Sequence, residues 1–332
     1  MRNSKRSISV IGSGRMGRGI ALSFAYQGYE AILIDVKERN GEEFNDLLSR
    51  SHTDFANQTK VLITSGLITE EMANDILKQI QIVHIEDNNT LWKDNEIVFE
   101  AVPEILDVKK DALQRVCEII PSNALILSTT SSFSANDIAQ FVTNKERFLN
   151  THWLNPAYLL PLIEVSASDY TSEENMHKTI ELLENIGKVP VKCKSSPGFI
   201  VPRIQALAMN EAARMVEENV ATPEELDKAI RTGFAPRFVI LGLLEFIDWG
   251  GLDTLYYASN YLAENLQDDR HAPPTIINEM MDKGEIGLEA KKGFYEFDEQ
   301  TLDDYQLQTL SKFIDLLQHL GFLSPPKIVE QQ

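Results

Sequence analysis

ISVIGSGRMGRGIALSFAYQGYEAILID runs from Ile8 to Asp35 and changes its periodicity twice. Ile8, Val10 and Ile11 read as a buried strand that breaks at Gly12-Ser13-Gly14-Arg15-Met16-Gly17. Ile20, Leu22 and Phe24, with alanines among them, then read as a helix capped by Gly28. A second apolar run, AILID, ends on Asp35.

Each part has a physical task in dinucleotide binding. Gly12 permits a tight turn, Gly14 lets backbone approach a pyrophosphate, and Gly17 lets helix and strand pack closely. Arg15 and Met16 lie between these glycines in the same cofactor-binding turn. The pyrophosphate would meet the free N–H groups and positive dipole end of the helix. Asp35 stands about 20 residues past the glycines, where a carboxylate accepts from ribose hydroxyls and repels a 2′-phosphate. The expected cofactor is therefore NAD rather than NADP, although Lys37 and Arg39 lie close by. A flavin is the main rival for the motif, but no second flavin-contacting segment follows.

A chain of 332 residues is long enough for two domains. The hydrophobic fraction of 43% and charged fraction of 24% are those of a soluble globular protein. No apolar run is long enough to span a bilayer. MRNSKRS at the start lacks the form of a signal peptide, and VEQQ at the end is no peroxisomal address. Two cysteines, Cys117 and Cys193, make neither a disulfide framework nor a metal cluster, which points to a reducing cytoplasm. A net charge of −19 argues against nucleic acid as a partner. An anionic substrate must then be met by local cations.

From about Glu42 to Leu77 the pattern is helical, with a fresh helix start at Thr69 in SGLITEEM. EIVFEAV, ALILSTT, RFLNTHW, LIEVSA and KVPVKCK read as strands. DVKKDALQRVCEII, SANDIAQFV and SEENMHKTIELLENIG read as helices. Such alternation predicts an α/β Rossmann-like, doubly wound parallel sheet. After Pro197-Gly198 helical patterns dominate, including an unbroken LGLLEFIDWGGLDTLYYASNYLAENL. The expected division is an NAD-binding domain over 1–195 and a smaller all-helical domain over 196–332.

The chain resembles the L-3-hydroxyacyl-CoA dehydrogenase family over nearly its whole length. GSGRMGRGIA, EAVPEILDVK, TTSS, the spacing His152–Asn155–Pro156–Glu164, SPGFIVPR and KKGFYEF stand in the family's order. The resemblance implies NAD-dependent oxidation of an L-3-hydroxyacyl substrate, of the 3-hydroxybutyryl-CoA type, to the 3-oxo form. It implies His152 and Glu164 as the catalytic pair. A histidine titrating near neutrality can take and return a proton, and a carboxylate on its other nitrogen fixes the tautomer. The bland alternative for His152 is a satisfied core histidine. Ser131 and Asn155 match positions that contact the substrate oxygen, although Ser131 could instead cap a helix, a task open also to Ser132 or Ser134. Glu104 and Lys109 match positions on the nicotinamide side, where the plain alternative is a solvated helix start. The resemblance also implies a homodimer formed through the helical domain.

Three departures concern the substrate. Pro202 replaces a family asparagine and removes one donor, unless it merely starts a helix. The stretch that is lysine-rich in many acyl-CoA members reads VLITSGL, with only Lys60 near it. TGFAPRFVILGLLE carries Arg237, which favours the branch acting on free 3-hydroxy acids such as L-gulonate or carnitine. Arg237 could clamp a carboxylate bidentately, or serve in a surface or interdomain ion pair. Tyr158 and Pro161 lean the same way. The alternatives are therefore a dehydrogenase of a short free acid, or a non-catalytic NAD-binding protein.

Overall fold

The computed structural model describes residues 6–87 and 92–324. Most of MRNSKRS and all of VEQQ lie outside the described residues. By internal contacts the chain divides into two compact units, residues 1–208 and 209–332.

In the first unit, strand β1 (Ser7–Ile11) leads into helix α1 (Arg15–Tyr26) and strand β2 (Glu30–Asp35). Gly28 adopts φ +80° just past α1, the left-handed stop expected of it. Helix α2 (Gly41–Thr64) opens with a reciprocal capping box between Asn40 and Glu43. Helix α3 (Glu70–Lys78) opens at Thr69, whose hydroxyl accepts from the Met72 amide. Strand β3 (Ile80–His84), strand β4 (Ile97–Glu100), helix α4 (Leu106–Cys117) and strand β5 (Leu125–Ser128) follow. Then come helix α5 (Ala135–Ala139), strands β6 (Phe148–Trp153) and β7 (Leu162–Ala167), helix α6 (Glu173–Asn185) and strand β8 (Val189–Lys192).

Among the described residues these strands form one sheet in the order β3-β2-β1-β4-β5-β6-β7-β8. The Rossmann-like class expected from the alternation is present, with two differences. β3 escaped the sequence reading because it is an edge strand whose Gln81 is exposed and whose Ile80 and Ile82 are only half-buried. β7 runs antiparallel to β6, so the sheet is not wholly parallel. The physical cause is the link Leu154–Pro161, which is shorter than the dozen or so residues that a parallel crossover needs. Apolar clusters fill both faces of the sheet, one around Phe24, Leu33 and Phe99 and the other around Trp92, Ile126 and Phe148.

Helix α7 (Val201–Glu217) begins in the first unit, with Pro202 in its first turn, where its missing N–H costs nothing. The second unit continues with helix α8 (Pro223–Ala229), a π-turn at Ile230–Phe234, and helix α9 (Ala235–Ile240). Helices α10 (Leu243–Gly250), α11 (Leu252–Leu266), α12 (Thr275–Lys283) and α13 (Leu302–His319) complete it. The helical stretch read as unbroken is divided at Gly251, whose φ of +90° ends α10. Asp248 is fully buried and accepts from the Phe294 and Tyr295 amides, at 3.0 and 2.8 Å. A Cβ on Gly293 would overlap that carboxylate, which explains the glycine in KKGFYEF.

Candidate active site

A cleft of about 1860 Å³ opens at the C-terminal ends of β1, β2 and β4 and is lined by Gly12–Met16, Asp35–Arg39 and Ala101–Pro103. The glycines divide their tasks by what a side chain would meet. At Gly12, φ is +102° and a Cβ would stand 2.6 Å from the Ala101 carbonyl oxygen. A Cβ on Gly17 would overlap the Gly12 carbonyl. At Gly14 a Cβ would meet nothing of this chain. Its bareness therefore serves whatever lies in the cleft. Gly14 also offers no side-chain cap to α1, so the first-turn amides are left to an anion. This is the cradle a pyrophosphate requires.

Asp35 ends β2 almost fully buried, with Arg39 Nε 2.5 Å from Oδ2. Arg15, Arg18, Lys37, Arg39, Arg50 and Arg115 all line the cleft, so cations gather locally in a chain of net charge −19. Arg18 donates to the Ser13 carbonyl and pairs with Asp54, bracing the glycine turn against α2.

His152 and Glu164 are directly opposed in the β6–β7 ladder, and both side chains are buried. Nδ1 and Oε2 are 2.6 Å apart. A carboxylate can only accept, so Nδ1 carries the hydrogen and Nε2 keeps its lone pair. Oε1 of Glu164 accepts from the backbone amides of Ile200 and Val201 at 2.9 and 2.8 Å. The SPGFIV segment thus lays the amino end of α7 on the carboxylate. Phe199, with φ +44°, stacks on the imidazole at a ring distance of 5.3 Å and an angle of 25°. Phe199 was not singled out from sequence. An aromatic directly after Pro197-Gly198 was the available signal.

Glu104 is exposed just before α4, as a plain helix start would have it, but Lys109 in the first turn of α4 is not. Lys109 is fully buried, 2.9 Å from Glu100 and 3.2 Å from Glu104. Glu104 Oε1 accepts from the Thr130 hydroxyl and from the Ser131 and Ser132 amides. Burial opposes its charge, but the Thr130 hydroxyl and Lys109 prevail and hold its pKa below the usual carboxylate range. Glu100 was not singled out from sequence either. It ends β4, fully buried, and accepts from Ser128 Oγ at 2.6 Å. Across the sheet Glu100, Ser128, Asn150 and Ser166 share one row, a buried polar stripe beside His152 and Glu164.

Ser131 is exposed in the loop after β5, and the cap of α5 is Ser134 instead. Asn155 is exposed in the loop between β6 and β7. Lys60 lies on an exposed position of α2, outside the cleft. Arg237 is exposed on α9 in the second unit, with its guanidinium 5.5 Å from the centre of the Phe246 ring. Among the described residues it makes no ion pair.

Residues 7–196 match the family described as 3-hydroxyacyl-CoA dehydrogenase, NAD binding domain, and residues 198–297 match its C-terminal domain. The chain belongs to the 3-hydroxyacyl-CoA dehydrogenase family. It is an oxidoreductase with that family's NAD-binding domain. It is similar to the 3-hydroxyadipyl-CoA dehydrogenase of Escherichia coli, at 32% identity over 88% of this chain. The match spans only 59% of that longer protein. A probable 3-hydroxybutyryl-CoA dehydrogenase of Deinococcus radiodurans is 30% identical, over 87% of this chain and 99% of its own. Among solved structures, a 3-hydroxyacyl-CoA dehydrogenase of Archaeoglobus fulgidus is 32% identical with a TM-score of 0.74, covering 96% of this chain and 100% of its own.

Proposed function

We propose that this 3-hydroxyacyl-CoA dehydrogenase family member oxidises a short L-3-hydroxyacyl-CoA, of the 3-hydroxybutyryl type, to the 3-oxo thioester. The observation that carries this is the His152–Glu164 pair, with Nδ1 committed to the carboxylate and Nε2 left as a base. His152 takes the hydroxyl proton, and Glu164, held by two backbone amides, stabilises the imidazolium that results. The hydroxyl of Ser131 and the amide of Asn155 donate to the substrate oxygen. When bound, NAD supplies the hydride acceptor. Gly12, Gly14, Arg15, Met16 and Asp35 line the cleft that would hold it, and Gly17 packs behind the turn against the Gly12 carbonyl. Glu104 and Lys109 support the nicotinamide side through the loops they join.

Residues 1–195 would then act as the NAD-binding domain and residues 196–332 as the substrate and dimerisation domain. A homodimer through the helical domain is supported by exposed apolar side chains on α11 and α13, among them Tyr257, Tyr261, Leu307 and Leu310. The two free cysteines fit a cytoplasmic setting.

A second reading, a free short 3-hydroxy acid as substrate, is favoured by Arg237, an exposed guanidinium without a carboxylate partner among the described residues. The deciding experiment follows NADH formation with NAD and either L-3-hydroxybutyryl-CoA or L-3-hydroxybutyrate. Turnover of the thioester alone supports the first reading. Turnover of the free acid alone makes Arg237 the specificity residue. No turnover of either, with NAD bound, would sink both.

A further inference from the structure

Lys188 follows α6 and precedes β8, is 8% exposed, and has no carboxylate partner among the described residues. Its Nζ donates to the Ala157 carbonyl at 2.6 Å and to the Leu160 carbonyl at 2.9 Å. It also stands 5.4 Å from the centre of the Trp153 ring. Both carbonyls belong to the loop Leu154–Pro161, which carries Asn155 and joins the strands bearing His152 and Glu164. On its other side the loop is pinned to α1. Ser23 Oγ donates to the Ala157 carbonyl at 3.2 Å, and a Cβ on Gly19 would come within 2.9 Å of the Ala157 Cβ.

An ammonium placed among Leu22, Leu62, Tyr158 and Ile186 carries a desolvation cost that an apolar side chain would not. What the charge gains in return is two strong bonds to backbone that is otherwise held by α1 and by the Val189 amide, which donates to the Pro161 carbonyl at 2.8 Å. We propose that Lys188 is a positioning residue for the dehydrogenase reaction, its ammonium holding the Leu154–Pro161 loop so that Asn155 meets the substrate oxygen. The assignment rests on the role given to Asn155 above.

The same geometry makes the grip pH-dependent. Burial pushes the Lys188 pKa down to about 8. The other titratable groups lining its pocket are Tyr26 on α1 and Tyr158 on the loop. As pH rises through about 8 the charge-assisted bonds become ordinary ones, and the loop is held less firmly. The sign for stability is opposite. The unfolded lysine still binds its proton above pH 8, so stability rises with pH as the folded one loses it. Activity and stability should therefore move in opposite directions in wild type over that range, and Lys188→Met should lack this component of both.

The test compares wild type, Lys188→Met, Lys188→Arg, Asn155→Ala and the double variant, on whichever 3-hydroxybutyryl substrate turns over. Lys188→Met is expected to lower kcat by about ten- to a hundred-fold while leaving KM for NAD nearly unchanged, and Lys188→Arg to recover part of the loss. In the Asn155→Ala background Lys188→Met should cost almost nothing further. Equal cost in both backgrounds would overturn the proposal, as would a silent Lys188→Met. A silent Asn155→Ala beside a damaging Lys188→Met would instead remove Asn155 from the substrate site. Should Lys188→Met fail to fold, the wild-type profile decides, since a kcat flat from pH 7 to 9 rules the device out.

Discussion

His152 and Glu164, twelve residues apart in the chain, face each other across the antiparallel β6–β7 ladder with their side chains 2.6 Å apart. Residues opposed in an antiparallel pair project from the same face with Cβ atoms about 5 Å apart, which places the two side chains within reach. The pairing follows from the short link between the strands. A parallel arrangement would have sent Glu164 to a different level of the sheet.

Replacing Glu164 by glutamine should therefore keep the fold and damage the chemistry. The amide still bridges to the ring but no longer stabilises an imidazolium. A fall in kcat of about 10²–10⁴-fold is expected, with NAD binding retained. Stopped-flow hydride transfer and NAD titration on the same variant check the two halves separately.

The glycines separate stability from cofactor affinity. Gly17→Ala should lower the melting temperature, because its Cβ would overlap the Gly12 carbonyl. A loss of about 1–3 kcal/mol is expected for overpacking of that kind. Gly14→Ala should melt as wild type does, since its Cβ meets nothing, and should lose NAD affinity. A Gly14→Ala variant that bound NAD normally would show that the pyrophosphate does not lie there.

Cofactor choice should rest on Asp35. Asp35→Ser removes the carboxylate and frees Arg39, which now pairs with it at 2.5 Å. NADP should then become a usable cofactor and KM for NAD should rise, since a freed arginine can accept a 2′-phosphate. Steady-state kinetics with both dinucleotides measure the switch.

Glu104 should give the loop that carries Ser131 an acid limit. Its pKa in the fold lies below the unfolded value, so its contribution is present above the ordinary carboxylate range and is lost as pH falls through the folded value. Wild type should lose melting temperature on acidification faster than Glu104→Gln. Parallel slopes between pH 6 and 3.5 would contradict the role.

In the second unit, Asp248→Ala should leave the Phe294 and Tyr295 amides without their acceptor. About 1–3 kcal/mol of stability in all is expected to go with these two part-buried bonds, read by denaturant unfolding.

The nucleotide-binding half was legible in the sequence because its signals are local. Strand–glycine–helix–strand periodicity, Gly28 after α1 and the cap at Thr69 each depend on neighbours along the chain. β3 was illegible because it lies at the sheet edge and shows too little apolar alternation. Phe199, Glu100 and Lys188 were also illegible as site residues. Each matters through partners tens of residues away, as Lys188 does through Ala157 and Leu160.

What the amino-acid sequence determined by itself was the class of fold, the glycine turn and the residue types available for chemistry, since short-range periodicity and backbone freedom suffice for these. The tertiary structure alone decided the rest. It set the direction of β7 and with it the opposition of Glu164 to His152. It also buried Lys109 against Glu100 and Glu104 and laid the amino end of α7 on the Glu164 carboxylate. Those relations arise when distant segments pack and exclude water, and no local pattern encodes which charge will meet which.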